Sequence, residues 1–313
     1  MVVEMKGSLW GSFRASRWSV LLWVVPAIIV LAIGVVFTAR WLREIPGVVE
    51  WIASYPGRAP LPDWAPIGIP AWLGWQHFLS AFFLVMIVRS GWLVRTTKRP
   101  PASWIRSNRG IIRTKQPPRK ISVHLWLHNA VDLLWVVNGV VFVVLLFATG
   151  QWVRIVPTSW GVVPNALSAA LQYASFDWPS TNGWVDYNAL QQLSYFGVVF
   201  ILSPLAIVTG LRMAEFWPTE AKLSSIYKIE WARAAHFPVM LIFVLFTFVH
   251  VLLVFTTGAQ QNLNHMFAAS DNAASWWGVV FLAGALTLMA AAVAATTPIL
   301  IRPIAALFGK VSR

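Results

Sequence analysis

The stretch RAAHFPVMLIFVLFTFVHVLLVF, residues 233–255, decides the fold. It is apolar for long enough to cross a bilayer as one helix, and it carries His236 and His250 fourteen residues apart. Fourteen residues are about four helical turns, so both rings lie within roughly 40° of one face and about 21 Å apart along the axis. In a hydrocarbon core ~30 Å thick, that spacing puts one ring in each leaflet. Ionisable side chains inside a span are costly and rare, so each points to function. Two on one stripe imply two redox or proton sites, one per leaflet.

The rest of the chain agrees with a membrane setting. Of 313 residues, 58% are hydrophobic and only 11% charged, more apolar surface than a soluble domain can bury. Six apolar stretches are predicted to span, at about 18–42, 71–94, 122–148, 191–211, 235–257 and 275–301. The expected fold class is an all-α membrane protein of six transmembrane helices. The first stretch is too long for a signal peptide and lacks a small-x-small cleavage site, so it reads as a retained helix. Tryptophans such as Trp41, Trp75, Trp92, Trp152, Trp231 and Trp277 sit near span ends, as interfacial belts do. There is no cysteine, which excludes covalent haem attachment, iron–sulfur ligation by this chain and disulfides. Any metal cofactor has to be held by histidine, methionine or carboxylate.

Charge sets the topology. Segment 95–121 holds nine Lys/Arg and no acid, and segment 212–233 adds Arg212, Lys222, Lys228 and Arg233. The other loops (43–70, 151–190 and 258–274) hold only Arg43, Arg58 and Arg154 against Glu44, Glu50, Asp63, Asp177, Asp186 and Asp271. The positive-inside rule therefore predicts a multi-pass protein of the plasma membrane with both termini cytoplasmic. A basic loop flanked by two spans is explained by topology and anionic lipid heads rather than by nucleic acid. The loop after the first span is rich in proline and glycine and is expected to be irregular. A short interfacial helix is expected near 164–175 in the long loop between the third and fourth spans.

With that topology, the six histidines sort by depth. His77 opens the second span in the outer half. His124 and His128 open the third span in the inner half. His236 is inner, His250 outer, and His265 falls in an outer loop as a surface or docking residue. Two pairs follow, His77 with His250 and His128 (or His124) with His236. A b-type haem needs two axial nitrogens on opposite sides of one iron, and facing helices of a bundle supply them. The flat porphyrin also needs helices bare of side chains beside it. Gly91 lies fourteen residues after His77, on the same face at inner depth. Gly139 lies eleven after His128, about 20° off its face at outer depth, but about 60° off the face of His124, which favours His128 as the ligand. Helix–helix hydrogen bonding is the alternative role for any single membrane histidine.

Three segments carry a family resemblance. WQHFLSAFFLVMIVRSG (75–91) has the early histidine and late Ser-Gly of membrane di-haem cytochrome b subunits. YNALQQLSYFGVVFILSPLAIVTGL (187–211) is similar to the third helix of thiosulfate reductase cytochrome b subunits. The 233–255 helix resembles the last core helix of formate dehydrogenase gamma and nickel–iron hydrogenase cytochrome b subunits. Together these resemble the bacterial di-haem cytochrome b561-like superfamily over about residues 70–265. The resemblance implies a four-helix haem-binding core at 70–265. It would be preceded by a transmembrane helix and outer loop at 1–69 and followed by a further helix and tail at 266–313. It implies two haem b groups with His77, His128, His236 and His250 as axial ligands. It also implies electron transfer between a quinone and a peripheral oxidoreductase of molybdopterin or hydrogenase type, with partner subunits in one complex.

Other residues take secondary roles. Asp132, one turn after His128, either orients that ring, exchanges protons with a quinone, or snorkels toward the basic loops. Asn129 and Asn138 are candidate donors to a quinone carbonyl. Arg233 and Lys120 are expected near the carboxylates of the inner haem, where a planar guanidinium suits a carboxylate. Arg89 is expected to snorkel inward, with pairing to a haem propionate as the alternative. His124 remains a spare ligand, a propionate contact or a quinone-site group. Two other functions compete. One is a stand-alone cytochrome b561-like oxidoreductase acting on superoxide or ferric iron. The other is a proton-coupled transporter with a histidine relay, against which stands the lack of an inverted repeat or a pair of broken helices.

Overall fold

The computed structural model describes residues 17–108, 117–178, 182–218 and 222–312, so part of the basic segment, 109–116, lies outside the described residues. The fold is essentially all-α, with six helices long and apolar enough to cross a membrane. These are α1 (Leu21–Glu44), α3 (Ala71–Thr96), α4 (Val123–Ala148), α6 (Ala189–Met213), α8 (Ile229–Thr256) and α10 (Trp277–Ala294). Among the described residues, five shorter α-helices join them: α2 (Pro46–Ser54), α5 (Val162–Ala174), α7 (Lys222–Ile226), α9 (Ala259–Phe267) and α11 (Pro298–Ala306). A small antiparallel sheet has the order β2 (Ile121–Ser122), β1 (Ser103–Arg106), β3 (Gly309–Ser312).

The chain divides into two compact units. The smaller comprises Met1–Pro60, Pro157–Thr181 and Asn188–Leu193. Its core is Val162 and Ala166 of α5 against Ala189, the first residue of α6. Arg40 and Arg43 of α1 reach the end of α5, donating to the Ser175 carbonyl at 3.0 Å and its hydroxyl at 2.6 Å. Arg43 also pairs with Asp177 at 2.5 Å. The rest of α1 exposes its apolar side chains, Trp23, Ile28, Leu31 and Phe37 among them, as a lipid-facing helix does. The interfacial helix expected at 164–175 is α5. The loop after α1 is irregular from Tyr55 to Pro70, as expected, but departs from expectation before that: Pro46 opens a regular helix. Proline at the first helical position has the right φ and forfeits an N–H that has no partner anyway.

The larger unit comprises Leu61–Val156, Asn182–Tyr187 and Ser194–Arg313. Its apolar centre is Leu202 of α6 against Val239 and Phe243 of α8, with Leu84 and Trp135 packed on it. The α6 helix contains a π turn at Gly197–Leu202, a local widening frequent at functional sites. Pro238 lies inside α8, where it has no N–H to give to the carbonyl one turn earlier. Ser122 caps α4, its hydroxyl accepting the Leu125 N–H at 3.1 Å.

Two corrections concern the last third. The sixth span does not run to 301. It ends at Ala294, because Pro298 forces Thr297 into extended backbone and restarts the chain as α11. Phe308 and β3 then return to the 95–121 loop, where Trp104, Val123, Trp126, Ile301 and Ala305 form a second core. The Trp104 indole donates to the Ala305 carbonyl at 3.0 Å. Second, His265 is not a surface loop residue. It is buried in α9, tilted against Trp184 and paired with Asp271 at 2.6 Å. Gly258, at φ +116°, ends α8 and launches α9, a turn the hydropathy pattern does not signal.

Helix α9 is clamped by backbone approach. Met266 carbonyl lies where a Cβ on Gly74 of α3 would sit, and Leu263 and Asn264 backbone lie where one on Gly278 of α10 would sit. Only glycine allows either contact. Asn264, fully buried, accepts the Gly278 N–H at 2.9 Å and donates to the Asn272 and Ser275 carbonyls at 3.0 and 2.6 Å. This fixes the end of α9, and so Phe267, against α3.

Candidate cofactor site

Both histidine pairs lie in the larger unit. At the acidic-loop end, His77 of α3 meets His250 of α8 with ring centres 6.1 Å apart and planes inclined at 57°. Phe267, held by the α9 clamp, lies edge-on to His77 at 5.7 Å. Phe246 stacks on His250 at 5.7 Å, and Tyr195 meets it edge-on at 6.1 Å. At the basic-loop end, His128 of α4 meets His236 of α8 at 6.4 Å with planes at 89°. His124 makes no such approach; it is buried one turn earlier on α4 with its Nδ1 unpartnered.

The basic-loop pair is held from behind by hydroxyls. Ser90 Oγ lies 3.0 Å from His128 Nδ1, and Thr209 Oγ1 lies 2.8 Å from His236 Nδ1. The residue after each hydroxyl is a glycine turned to the same ring. A Cβ on Gly91 would stand 3.2 Å from His128 Cε1, and one on Gly210 would stand 3.6 Å from His236 Cε1. Spacing points to Gly91, and the late Ser-Gly of the same span carries part of the family resemblance; the signal for Thr209 and Gly210 is the matching Thr-Gly pair on a different span. Gly139 is different: a Cβ there would meet nothing within 4 Å, and no histidine ring lies against it.

A cavity opens beside this pair, lined by His128, Asn129, Asp132, Gly210, Glu215 and His236 among others. Asp132 Oδ2 is 3.6 Å from His128 Nε2. Burial pushes the Glu215 carboxyl above the usual carboxylate range, while the Arg106 and Arg119 guanidiniums pull it back, and its Oε2 is buried without a partner. Asn138 is not part of this cavity, because its amide donates to Ser80 at 3.1 Å. Arg233 is exposed on α8 and Lys120 is exposed before α4. Arg89 donates to Thr296 at 3.2 Å. At the acidic-loop end, Arg154 is buried. It donates to the carbonyls of Gly68 and Gly183 at 2.8 and 2.5 Å and stacks over Tyr187. Burial raises the Tyr187 phenol, opposed by that guanidinium.

The donor chemistry suits a flat iron cofactor. Among the described residues, no group of three or more His, Cys, Asp or Glu side chains could hold a bare ion. Each pair offers two imidazoles, so the remaining coordination has to come from the bound group, as it does from the four nitrogens of a porphyrin. A first-row metal bound at about 2.0–2.1 Å by two opposed imidazole nitrogens, each about 1.1 Å from its ring centre, separates the centres by about 6.3 Å. The observed 6.1 and 6.4 Å bracket that value.

Comparison with known proteins agrees in kind. The family described as prokaryotic cytochrome b561 matches residues 68–269. A protein of Azospira oryzae described as a protein-methionine-sulfoxide reductase subunit, YedZ1, is 27% identical over 201 residues, covering 59% of this chain and 88% of that protein. No solved structure matches the chain.

Proposed function

The chain belongs to the prokaryotic cytochrome b561 family, as a multi-pass membrane haem protein, and from that premise we propose that it carries electrons through two haem b groups. His77 and His250 would hold one, and His128 and His236 the other. The observation that supports this most is the pair of imidazole couples, each at metal-bridging separation and each using one turn of the same helix α8. Haem iron, when bound, supplies one-electron exchange between ferric and ferrous states. The chain's residues do the rest. Imidazoles orient the cofactor, Gly91 and Gly210 leave bare helix against the basic-loop pair, and the apolar spans exclude water.

The proposed electron partner at the basic-loop end is a quinone. Oxidation of a quinol releases two electrons and two protons, and two carboxyls, Asp132 and Glu215, line the cavity beside His128 and His236. Asn129 in the same wall offers an amide donor for a quinone oxygen. By charge distribution this end is cytoplasmic and both termini lie there. At the opposite end, the proposed partner is a peripheral oxidoreductase of molybdopterin or hydrogenase type that completes the complex. The Azospira oryzae relative, named as a reductase subunit, supports a role as one subunit of a redox enzyme. Membranes containing the expressed chain should give b-type α and Soret bands in a dithionite-reduced minus oxidised spectrum. Absence of those bands rejects the proposal.

A further inference from the structure

The two ends treat their histidines differently. Ser90 and Thr209 are fully buried. A hydroxyl has one proton to give. Ser90 is within reach of the Met86 and Ile87 carbonyls of its own helix at 2.7 and 3.1 Å, and Thr209 of the Leu205 and Ala206 carbonyls at 2.7 and 3.0 Å. With the proton given to the helix, each oxygen turns a lone pair to the ring nitrogen 3.0 or 2.8 Å away. With the hydroxyl proton so placed, the ring nitrogen would be the donor, which would put the proton of His128 and His236 on Nδ1 and leave the Nε2 lone pair for a metal. At the opposite end, His77 Nδ1 is buried with no partner.

We propose that Ser90 and Thr209 are positioning residues that lock the tautomer of the basic-loop haem ligands and lower the reduction potential of the haem at that end. The inference rests on the two-haem reading. An imidazole whose far N–H donates to an acceptor is a stronger electron donor to its metal. A stronger donor favours ferric over ferrous iron. Each hydroxyl is itself polarised by its bond to a helix carbonyl, which strengthens its hold on the ring. The acidic-loop pair lacks this push at His77, so the two haems differ by construction of the second layer of contacts rather than by ligand type.

The test is a redox titration of the purified full chain, followed at the α band, for wild type, Ser90→Ala, Thr209→Val and Thr209→Ser. Valine keeps the threonine shape and removes the hydroxyl; serine keeps the hydroxyl. S90A and T209V should each move the same one of two titrating components to more positive potential, changing its reduced-to-oxidised ratio at fixed potential at least threefold. The other component should stay in place, and T209S should titrate as wild type. Selective loss of that component in S90A and T209V, with both retained in T209S, also supports the positioning role. The proposal is overturned if variants that keep both haems titrate unchanged, or if T209S shifts as far as T209V. A wild-type chain with fewer than two titrating haems would instead remove the two-haem reading itself.

Discussion

A single methyl group separates the two glycines that spacing singled out. Gly91 faces His128 so closely that a Cβ would sit 3.2 Å from the ring, whereas Gly139 faces open space. Gly91→Leu should therefore drive His128 off α8 and remove one b-type component from the reduced spectrum while leaving the other. Gly139→Ala should keep both components, and equal loss in the two variants would mean that neither glycine acts through a ring. The histidine residues were readable because rarity in a span and a fourteen-residue interval are properties of sequence alone. The choice between His124 and His128 was only tilted by helical phase, since four residues differ by about 40°. The structure brings His128 to His236. The role of Ser90 and Thr209 is harder to read, because a serine or threonine in a span is usually satisfied by its own helix; beyond the glycine that follows each, these two are set apart by the ring across the gap.

At the scale of elements, hydropathy located all six long helices to within a few residues at most ends, because lipid demands about twenty apolar residues for each crossing. It had less purchase on the pieces outside the hydrocarbon. Helix α9 is short and polar, with Gln260, Gln261, Asn262 and Asn264 giving it the look of a loop. Its helicity is sustained by tertiary clamps on Gly74 and Gly278, and by Asn264. Asn264→Ala leaves the buried Gly278 N–H without its acceptor, at about 1–3 kcal/mol, while the Asn272 and Ser275 carbonyls keep the Ser275 N–H and the Gln260 amide as donors. Detergent-purified N264A should lose at least several degrees in melting temperature and should loosen Phe267 from His77, broadening the acidic-loop haem signal first. An unchanged melting temperature would mean that backbone approach alone holds α9. The α11–β3 return was equally hidden, since pairing β3 with β1 joins residues about two hundred positions apart, and no local pattern encodes the partner.

At the scale of the molecule, one helix carries a histidine of each pair. Helix α8 supplies His236 and His250, and α3 and α4 each supply one opposing ring from opposite ends. That arrangement follows from antiparallel neighbours: α3 presents its early histidine at the end where α4 presents only its late residues. The family match over residues 68–269 spans these helices and leaves α1 and α10 wholly outside it. The central claim is that four imidazoles act as two couples. Its most direct measurement is the haem content per purified chain of the five single variants His77→Ala, His250→Ala, His128→Ala, His236→Ala and His124→Ala. Two haems are expected in wild type and in H124A, and one in each of the others, with H77A and H250A losing one spectral component and H128A and H236A losing the other. Loss of a haem in H124A with retention in H128A, or loss of different components within a couple, would contradict the account.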